Sequence, residues 1–127
     1  MSARRLHLAG GACAAVVYLG ALCNRFAMDD RYIIVLNLLV HSPSGMWRAF
    51  LEPYWPPDLG GKMYRPLTVA TFGLDRLVDG PAWFHAINLL WHAGASVAVA
   101  ALGRRLGGNG LRAGLIAGAL FAVHPVH

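Results

Sequence analysis

Phe84–Leu102 reads FHAINLLWHAGASVAVAAL, nineteen residues without a charge, and Arg104-Arg105 follows close behind. About 20 apolar residues span the hydrocarbon of a bilayer as a helix, so this block sets the fold as a membrane helix. Two further apolar blocks flank it. Leu6–Cys23 follows Arg4-Arg5, and another begins at Leu111, after Gly107-Gly108-Asn109-Gly110, and runs to Val123. Composition agrees. Of the 127 residues 57% are hydrophobic and 13% charged, where a soluble domain carries about 25% charged residues. The expected fold is all-α, with transmembrane helices near 6–23, 84–102 and 111–127 and a long loop over 24–83. The third block is short for a span, so residues 1–127 read as an N-terminal fragment of a larger helical membrane domain. A basic start before an apolar run is also the form of a signal peptide. No small-residue cleavage site stands out before Asn24-Arg25-Phe26, and further apolar blocks follow.

The net charge is +5. Nucleic-acid binding would need that charge clustered on a soluble face, whereas here Lys62 is the only lysine and the arginines lie at block ends. No nucleic-acid partner is expected. The positive-inside rule uses the same residues. With the N-terminus in the cytoplasm, Arg4, Arg5, Arg104, Arg105 and Arg112 lie inside without an acidic residue. Arg25, Arg31, Arg48, Lys62, Arg65 and Arg76 then lie outside, balanced by Asp29, Asp30, Glu52, Asp58, Asp75 and Asp79. The loop is therefore expected on the extracytoplasmic side. Arginine in place of lysine suits a GC-rich bacterial genome, so the expected membrane is a bacterial inner membrane. Cys13 and Cys23 are ten positions apart on one block, about 15 Å of helical rise, too far for a disulfide within the helix.

Two segments of the loop have the pattern of helices lying in the membrane interface. His41–Trp55 mixes Met46, Trp47, Phe50, Leu51 and Trp55 with Arg48 and Glu52. Pro66–Val78 places Leu67, Ala70, Leu74 and Leu77 at helical spacing. Trp suits an interface belt, and such helices bury one apolar face among headgroups. Pro53, Pro56-Pro57 and Gly60-Gly61 break regular structure between them.

Three groups of side chains could carry chemistry. Asp29-Asp30 sets two carboxylates side by side, six residues past the first block. Such a pair serves as a general base or a metal ligand, and it also fits a solvated turn or a helix cap. In Tyr64-Arg65-Pro66, Pro66 suits a first helical turn, so Arg65 would stand at a helix N-terminus. A guanidinium there suits phosphate, and equally a lipid headgroup. His85, Asn88, His92 and Ser96 share one face of the second membrane helix, where polar groups bond across helices or line a cavity. His124 and His127 close the chain with i, i+3 spacing, but two ligands do not make a metal site.

In chain order these segments resemble a known family. Asp29–Asn37 (DDRYIIVLN), 61–68 (GKMYRPLT), 84–92 (FHAINLLWH) and 121–127 (FAVHPVH) are similar to the start of the transmembrane-and-tetratricopeptide-repeat O-mannosyltransferases and their bacterial relatives. Those enzymes are in the GT-C superfamily of membrane glycosyltransferases. The resemblance implies a multi-spanning enzyme that takes a sugar, mannose by analogy, from a polyprenyl-phosphate-linked donor. The acceptor would be a hydroxyl of a protein Ser or Thr, or of a glycan. It implies Asp29 or Asp30 as catalytic base or acceptor-orienting carboxylate, and Arg65 with Tyr64 as donor-phosphate ligands. His85, Asn88, His92, His124 and His127 would support the active site. The family's HPVH motif usually continues with Thr-Glu, which this sequence does not contain. Metal use varies across the superfamily, so a divalent metal stays open and no cofactor is assigned. Two other readings stand beside this one. One is a non-enzymatic membrane adaptor or truncated remnant; the other is a haem or metal protein using the histidines.

Overall fold

The computed structural model describes residues 3–124, with side chains from residue 8 onward. Among these residues the secondary structure is helical, without strands. The chain divides into two units: 1–22 with 85–127, and 23–84. His127 of the expected site lies outside the described residues.

The first unit contains α1 (Ala3–Tyr18), most of α4 (Pro81–Leu106) and α5 (Leu111–Val123). A 3-10 turn, Leu19–Cys23, extends α1. At 26 residues α4 rises about 39 Å, more than the hydrocarbon thickness of a bilayer. It is the described helix long and apolar enough to cross a membrane, and only 11% of its apolar window is buried. A helix this apolar and this bare needs an apolar surround. The expected 84–102 span falls within it. The 6–23 and 111–127 regions contain shorter apolar helices, Leu8–Cys23 and Leu111–Val123.

Small residues hold these helices together. Ala14, Ser96, Ala100 and Ala122 are at most 1% exposed. A Cβ built at Gly118 would lie 2.7 Å from Ala100 Cβ, and one at Gly103 would lie 2.5 Å from Ala117 Cβ. Backbones this close are the usual packing mode of membrane helices, which lack a hydrophobic drive towards one another. Between α4 and α5, Gly108 and Asn109 both have positive φ, 64° and 63°. That left-handed pair is tolerated by Gly and Asn and turns the chain sharply. Ser96 donates from Oγ to the His92 carbonyl, 2.8 Å away, satisfying a hydroxyl that is otherwise fully buried.

The second unit is built from short pieces around Leu39, Val40, Ala49 and Val69, with Tyr54 and Phe72 packed against them. A π turn, Arg31–Val35, leads to a 3-10 turn, Leu38–His41, and then to α2 (Pro43–Arg48). Caps fix each start. Asn37 Oδ1 accepts from Leu39 N–H at 2.9 Å, and Ser42 Oγ accepts from Gly45 N–H at 3.0 Å. Gly45 is buried against backbone, so a Cβ there would stand 2.5 Å from the Leu39 carbonyl oxygen. Helix α3 (Pro66–Asp75) begins at Pro66, the residue expected to start the second interfacial segment. Phe84 meets Phe26 edge-on and Phe72 at a tilt, at 5.3 and 6.0 Å between ring centroids.

Both interfacial segments are shorter helices than their patterns suggested. The α-helix in His41–Trp55 stops at Arg48, followed by turns. Pro53 brings no N–H, and the Tyr54 N–H donates instead to the Met63 carbonyl, 2.6 Å away. Helix α3 stops at Asp75, and Asp79 and Gly80 then take φ of 60° and 90°.

Candidate active site

Within the second unit, three charged side chains act on one ring, that of Tyr54. The bond from Tyr54 N–H to the Met63 carbonyl clamps the 53–57 stretch to the segment leading into α3. That closure sets the Arg65 guanidinium over the Tyr54 ring, 5.4 Å from the centroid, in a cation–π contact. The Tyr54 phenol also feels the charges of Asp29 and Asp30 and hydrogen bonds with Arg65. Burial, the largest influence, pushes this phenol above its ordinary value. Arg65 pulls it down, and the two aspartates push it up. Tyr54 therefore stays protonated through the neutral range and can donate a hydrogen bond.

The carboxylates are held differently. Asp30 Oδ2 accepts from Ala27 N–H at 3.1 Å, within a tight turn that Met28 enters with φ of 45°. The Asp29 carbonyl accepts from Tyr32 and Ile33 N–H, at 2.9 and 3.0 Å, and so anchors the π turn. Its side chain is exposed and, among the described residues, has no hydrogen-bond or ion-pair partner. Ion pairs among these residues are Arg48–Glu52 and Arg76–Asp79. Neither Asp29 nor Asp30 is tied up with Arg65. The site thus offers a carboxylate outside any ion pair and a guanidinium held on one phenol.

Tyr64 lies one residue before Arg65, but its hydroxyl donates to the Phe50 carbonyl at 2.7 Å. Its place is against the turn after α2. Arg65 takes the N-cap position of α3 and uses no side-chain capping bond; its guanidinium lies over the Tyr54 ring instead.

The histidine face of α4 lies in the other unit. His85, Asn88 and His92 line one cavity of about 260 Å³ with Tyr18, Ala21 and Leu89. His92 stands edge-on to Tyr18, stacks on Phe121, and its Nε2 lies 3.1 Å from the Ala122 carbonyl. The Tyr18 hydroxyl donates to the His124 carbonyl at 2.9 Å. These contacts fasten the end of α5 to α1 and α4 by polar bonds across helices. His85 Nε2 is buried without a hydrogen-bond partner. Among the described residues no three His, Cys, Asp or Glu side chains gather into a metal-sized cluster.

Tyr54 was not legible as a site residue. Its one signal in the sequence is an aromatic pair, Tyr54-Trp55, set among Pro53 and Pro56-Pro57, where turn chemistry alone would place small polar residues.

Asp75 ends α3, where the carbonyl dipoles disfavour a negative charge. Burial pushes its carboxyl above the usual carboxylate range, and a hydrogen bond with Trp83 pulls it the other way. A carboxyl raised on folding stabilises the fold while protonated and loses that contribution as pH rises through its folded value. Once the carboxyl ionises, that contribution is gone. Asp75→Asn keeps the acceptor for Trp83 without the charge. It should raise the thermal midpoint of the detergent-solubilised protein at pH 7 by about 1–2 °C. The gain should vanish on acidification, and a gain that grew instead as pH fell would contradict this.

Sequence comparison places the chain among relatives of one kind. It is 37% identical over 121 residues to the protein O-mannosyl-transferase Tmtc2 of Drosophila melanogaster, covering 90% of this chain and 13% of that protein. It is 34% identical over 137 residues to human protein O-mannosyl-transferase TMTC4, covering 92% of this chain and 18% of that protein. With human TMTC3 the identity is 33% over 116 residues, covering 87% and 12%. The four motifs and these alignments agree: the chain is related to the TMTC protein O-mannosyl-transferases. It spans less than a fifth of the length of these relatives. No family model matches the chain, and no solved structure matches it.

Proposed function

We propose that this chain, a relative of the TMTC protein O-mannosyl-transferases, is part of a GT-C-type membrane glycosyltransferase. The observation that carries the reading is the Arg65 guanidinium set over the Tyr54 ring, whose phenol also feels the charges of Asp29 and Asp30, with Asp29, Asp30 and Arg65 all on segments that carry the sequence resemblance. The full-length protein transfers a sugar, mannose by its relatives' names, from a polyprenyl-phosphate carrier to a hydroxyl of a protein. The chain is membrane-embedded, its N-terminus cytoplasmic and its 24–83 loop extracytoplasmic, in a bacterial inner membrane.

The chemistry follows from charge. One carboxylate of the Asp29-Asp30 pair takes the acceptor hydroxyl proton as that oxygen attacks the anomeric carbon. The bond from that carbon to the phosphate oxygen breaks, and the polyprenyl phosphate leaves with the bonding electrons. A single displacement inverts the anomeric centre. Charge grows on the departing phosphate, and a preplaced cation there lowers the barrier. Arg65 is that cation. Its contact with Tyr54 holds it in place before donor arrives, and the Tyr54 hydroxyl is a second donor to the same oxygens.

A charged hydrogen bond to phosphate contributes about 1.5–3 kcal/mol, so Arg65→Gln should raise the KM for the lipid-linked donor by about 10–100-fold. Steady-state transfer by the full-length protein in lipid nanodiscs reads this out. Wild-type KM and kcat in that variant would remove Arg65 from the donor site.

A further inference from the structure

Residues 1–22 and 85–127, the whole of the first unit, contain no Asp or Glu, and their five arginines belong to one end of it. Packing registers fix that end. A Cβ built at Gly10 would lie 3.8 Å from the Ser96 carbonyl oxygen and 3.9 Å from Ala100 Cβ, while Tyr18 meets His92. Helix α1 therefore runs antiparallel to α4, and its first turn, with Arg4 and Arg5 in its sequence, comes level with Arg104. A Cβ built at Gly103 would lie 3.2 Å from the Ala113 carbonyl oxygen, and Gly107 also packs on Ala113. The start of α5 thus sets Arg112 beside the last turn of α4, which carries Arg104 and Arg105. The chain joins the 23–84 unit at Leu22 and His85, the opposite end, about 29 Å of helical rise from Arg104.

We infer that this arginine end is a binding site for an anionic phospholipid: the Arg104 guanidinium takes the headgroup phosphate, Arg105 and Arg112 balance its charge, and the acyl chains lie along α4 and α5. The inference concerns the membrane helices alone and stands apart from the glycosyltransferase reading. Topology asks only for cations at this end. Arg104 goes further, because its Nε is buried and, among the described residues, has no hydrogen-bond partner. A buried donor without an acceptor is costly, and no carboxylate of this unit exists to supply one. The ion pairs among the described residues, Arg48–Glu52 and Arg76–Asp79, both belong to the other unit. A phosphodiester oxygen brings the acceptor and the negative charge together, in a geometry that the guanidinium fork matches.

The apolar surroundings argue for a lipid over a soluble phosphate. Arg105 and Arg112 are exposed. Leu102 lies three residues before Arg105 on α4, and Leu115 and Ile116 lie three and four residues after Arg112 on α5. Residues at these spacings share a helix face. All three are open to the surround, at 55%, 38% and 61% exposure. Each exposed cation therefore tops an apolar strip that runs towards the middle of its helix. A phospholipid has the same order, charge above and hydrocarbon below, and the apolar stems of the arginines bridge the two. A soluble phosphate would leave both strips unused.

The test uses the full-length protein in nanodiscs of phosphatidylglycerol and phosphatidylcholine in equal parts, with native mass spectrometry counting the lipids retained on release. One juxtamembrane arginine gives about a fivefold preference for anionic lipid, so the wild type should favour phosphatidylglycerol by about fivefold or more. Arg104→Gln should cut that preference by about fivefold. Arg104→Lys should cut it by about threefold, because lysine keeps the charge and lacks the Nε donor. Arg105→Lys, which keeps an exposed charge, should match the wild type. Unchanged retention of phosphatidylcholine reports that the variants fold. The wild type also gives a reading without any substitution: salt raised from about 0.1 to about 1 M before release shortens screening from about 10 to about 3 Å and should weaken the preference. No preference in the wild type, or one left intact in Arg104→Gln, would overturn the site. Arg104→Lys equal to the wild type would show diffuse charge without a guanidinium site, and would overturn it too. Loss of bound phosphatidylglycerol to inorganic phosphate, but not to sodium chloride of equal ionic strength, would assign the arginines to a soluble phosphate and overturn the inference.

Discussion

Asp29→Asn and Asp30→Asn, made singly in the full-length protein, should separate the two carboxylates, one variant losing about 10²–10⁴ in kcat. That is the range for removing a general base. Asparagine keeps the size and the acceptor oxygen, so the loss reports proton transfer more than packing. The structure distinguishes the two. Asp30 Oδ2 is engaged by Ala27 N–H, whereas the Asp29 side chain is exposed and unpartnered. Asp29 is accordingly expected to show the larger fall. Asp30→Asn keeps an oxygen for Ala27 and should lose less, about tenfold, through altered charge at Tyr54. Transfer assays at saturating donor and acceptor measure both.

Gly118→Leu should severely damage the helical packing. A single Cβ at this buried position would already approach Ala100 Cβ to 2.7 Å, with Ala100 Cα and the Ser96 carbonyl at 3.4 Å. Ala100 and Ser96 are themselves fully packed and belong to a helix backbone, so neither can yield as a flexible side chain would. Leucine adds three more carbons to that contact. The cost is about 3 kcal/mol or more, at the upper end for overpacking. It should appear as a large drop in the thermal midpoint in detergent. The drop should come with loss of the bonds from Tyr18 to the His124 carbonyl and between His92 and the Ala122 carbonyl, which need α5 in place. An unchanged midpoint would show that α5 does not pack on α4 in this way.

What the sequence reveals here follows the range of the interaction. Helix α4 is legible because an uncharged block followed by Arg104-Arg105 is a local pattern that the bilayer imposes. The start of α3 is legible from Pro66, whose fixed φ and missing N–H suit a first turn. The end of α2 is not, because the apolar residues of His41–Trp55 continue at helical spacing after the helix has stopped. After Ala49 the chain turns, Pro53 offers no N–H, and the Tyr54 N–H pairs with the distant Met63 carbonyl instead. The same bond makes the site. Asp29-Asp30 and Arg65 are visible as residue types, but only the closure of the 54–63 loop brings Tyr54 beneath Arg65. The shared face of His85, Asn88 and His92 left bonding across helices and a cavity lining both open, and the fold shows both: His92 reaches the Ala122 carbonyl, and all three line one cavity.

The most direct test of the central claim is the donor requirement of the full-length protein. Purified protein in lipid nanodiscs is given a Ser/Thr peptide and radiolabelled mannose, either on polyprenyl phosphate or as the sugar nucleotide, and label on the peptide is counted. Labelling from the polyprenyl-phosphate donor, abolished in Asp29→Asn and absent with the sugar nucleotide, is the predicted result. Labelling from the sugar nucleotide alone, or from the lipid-linked donor at wild-type rates in both aspartate variants, would contradict it.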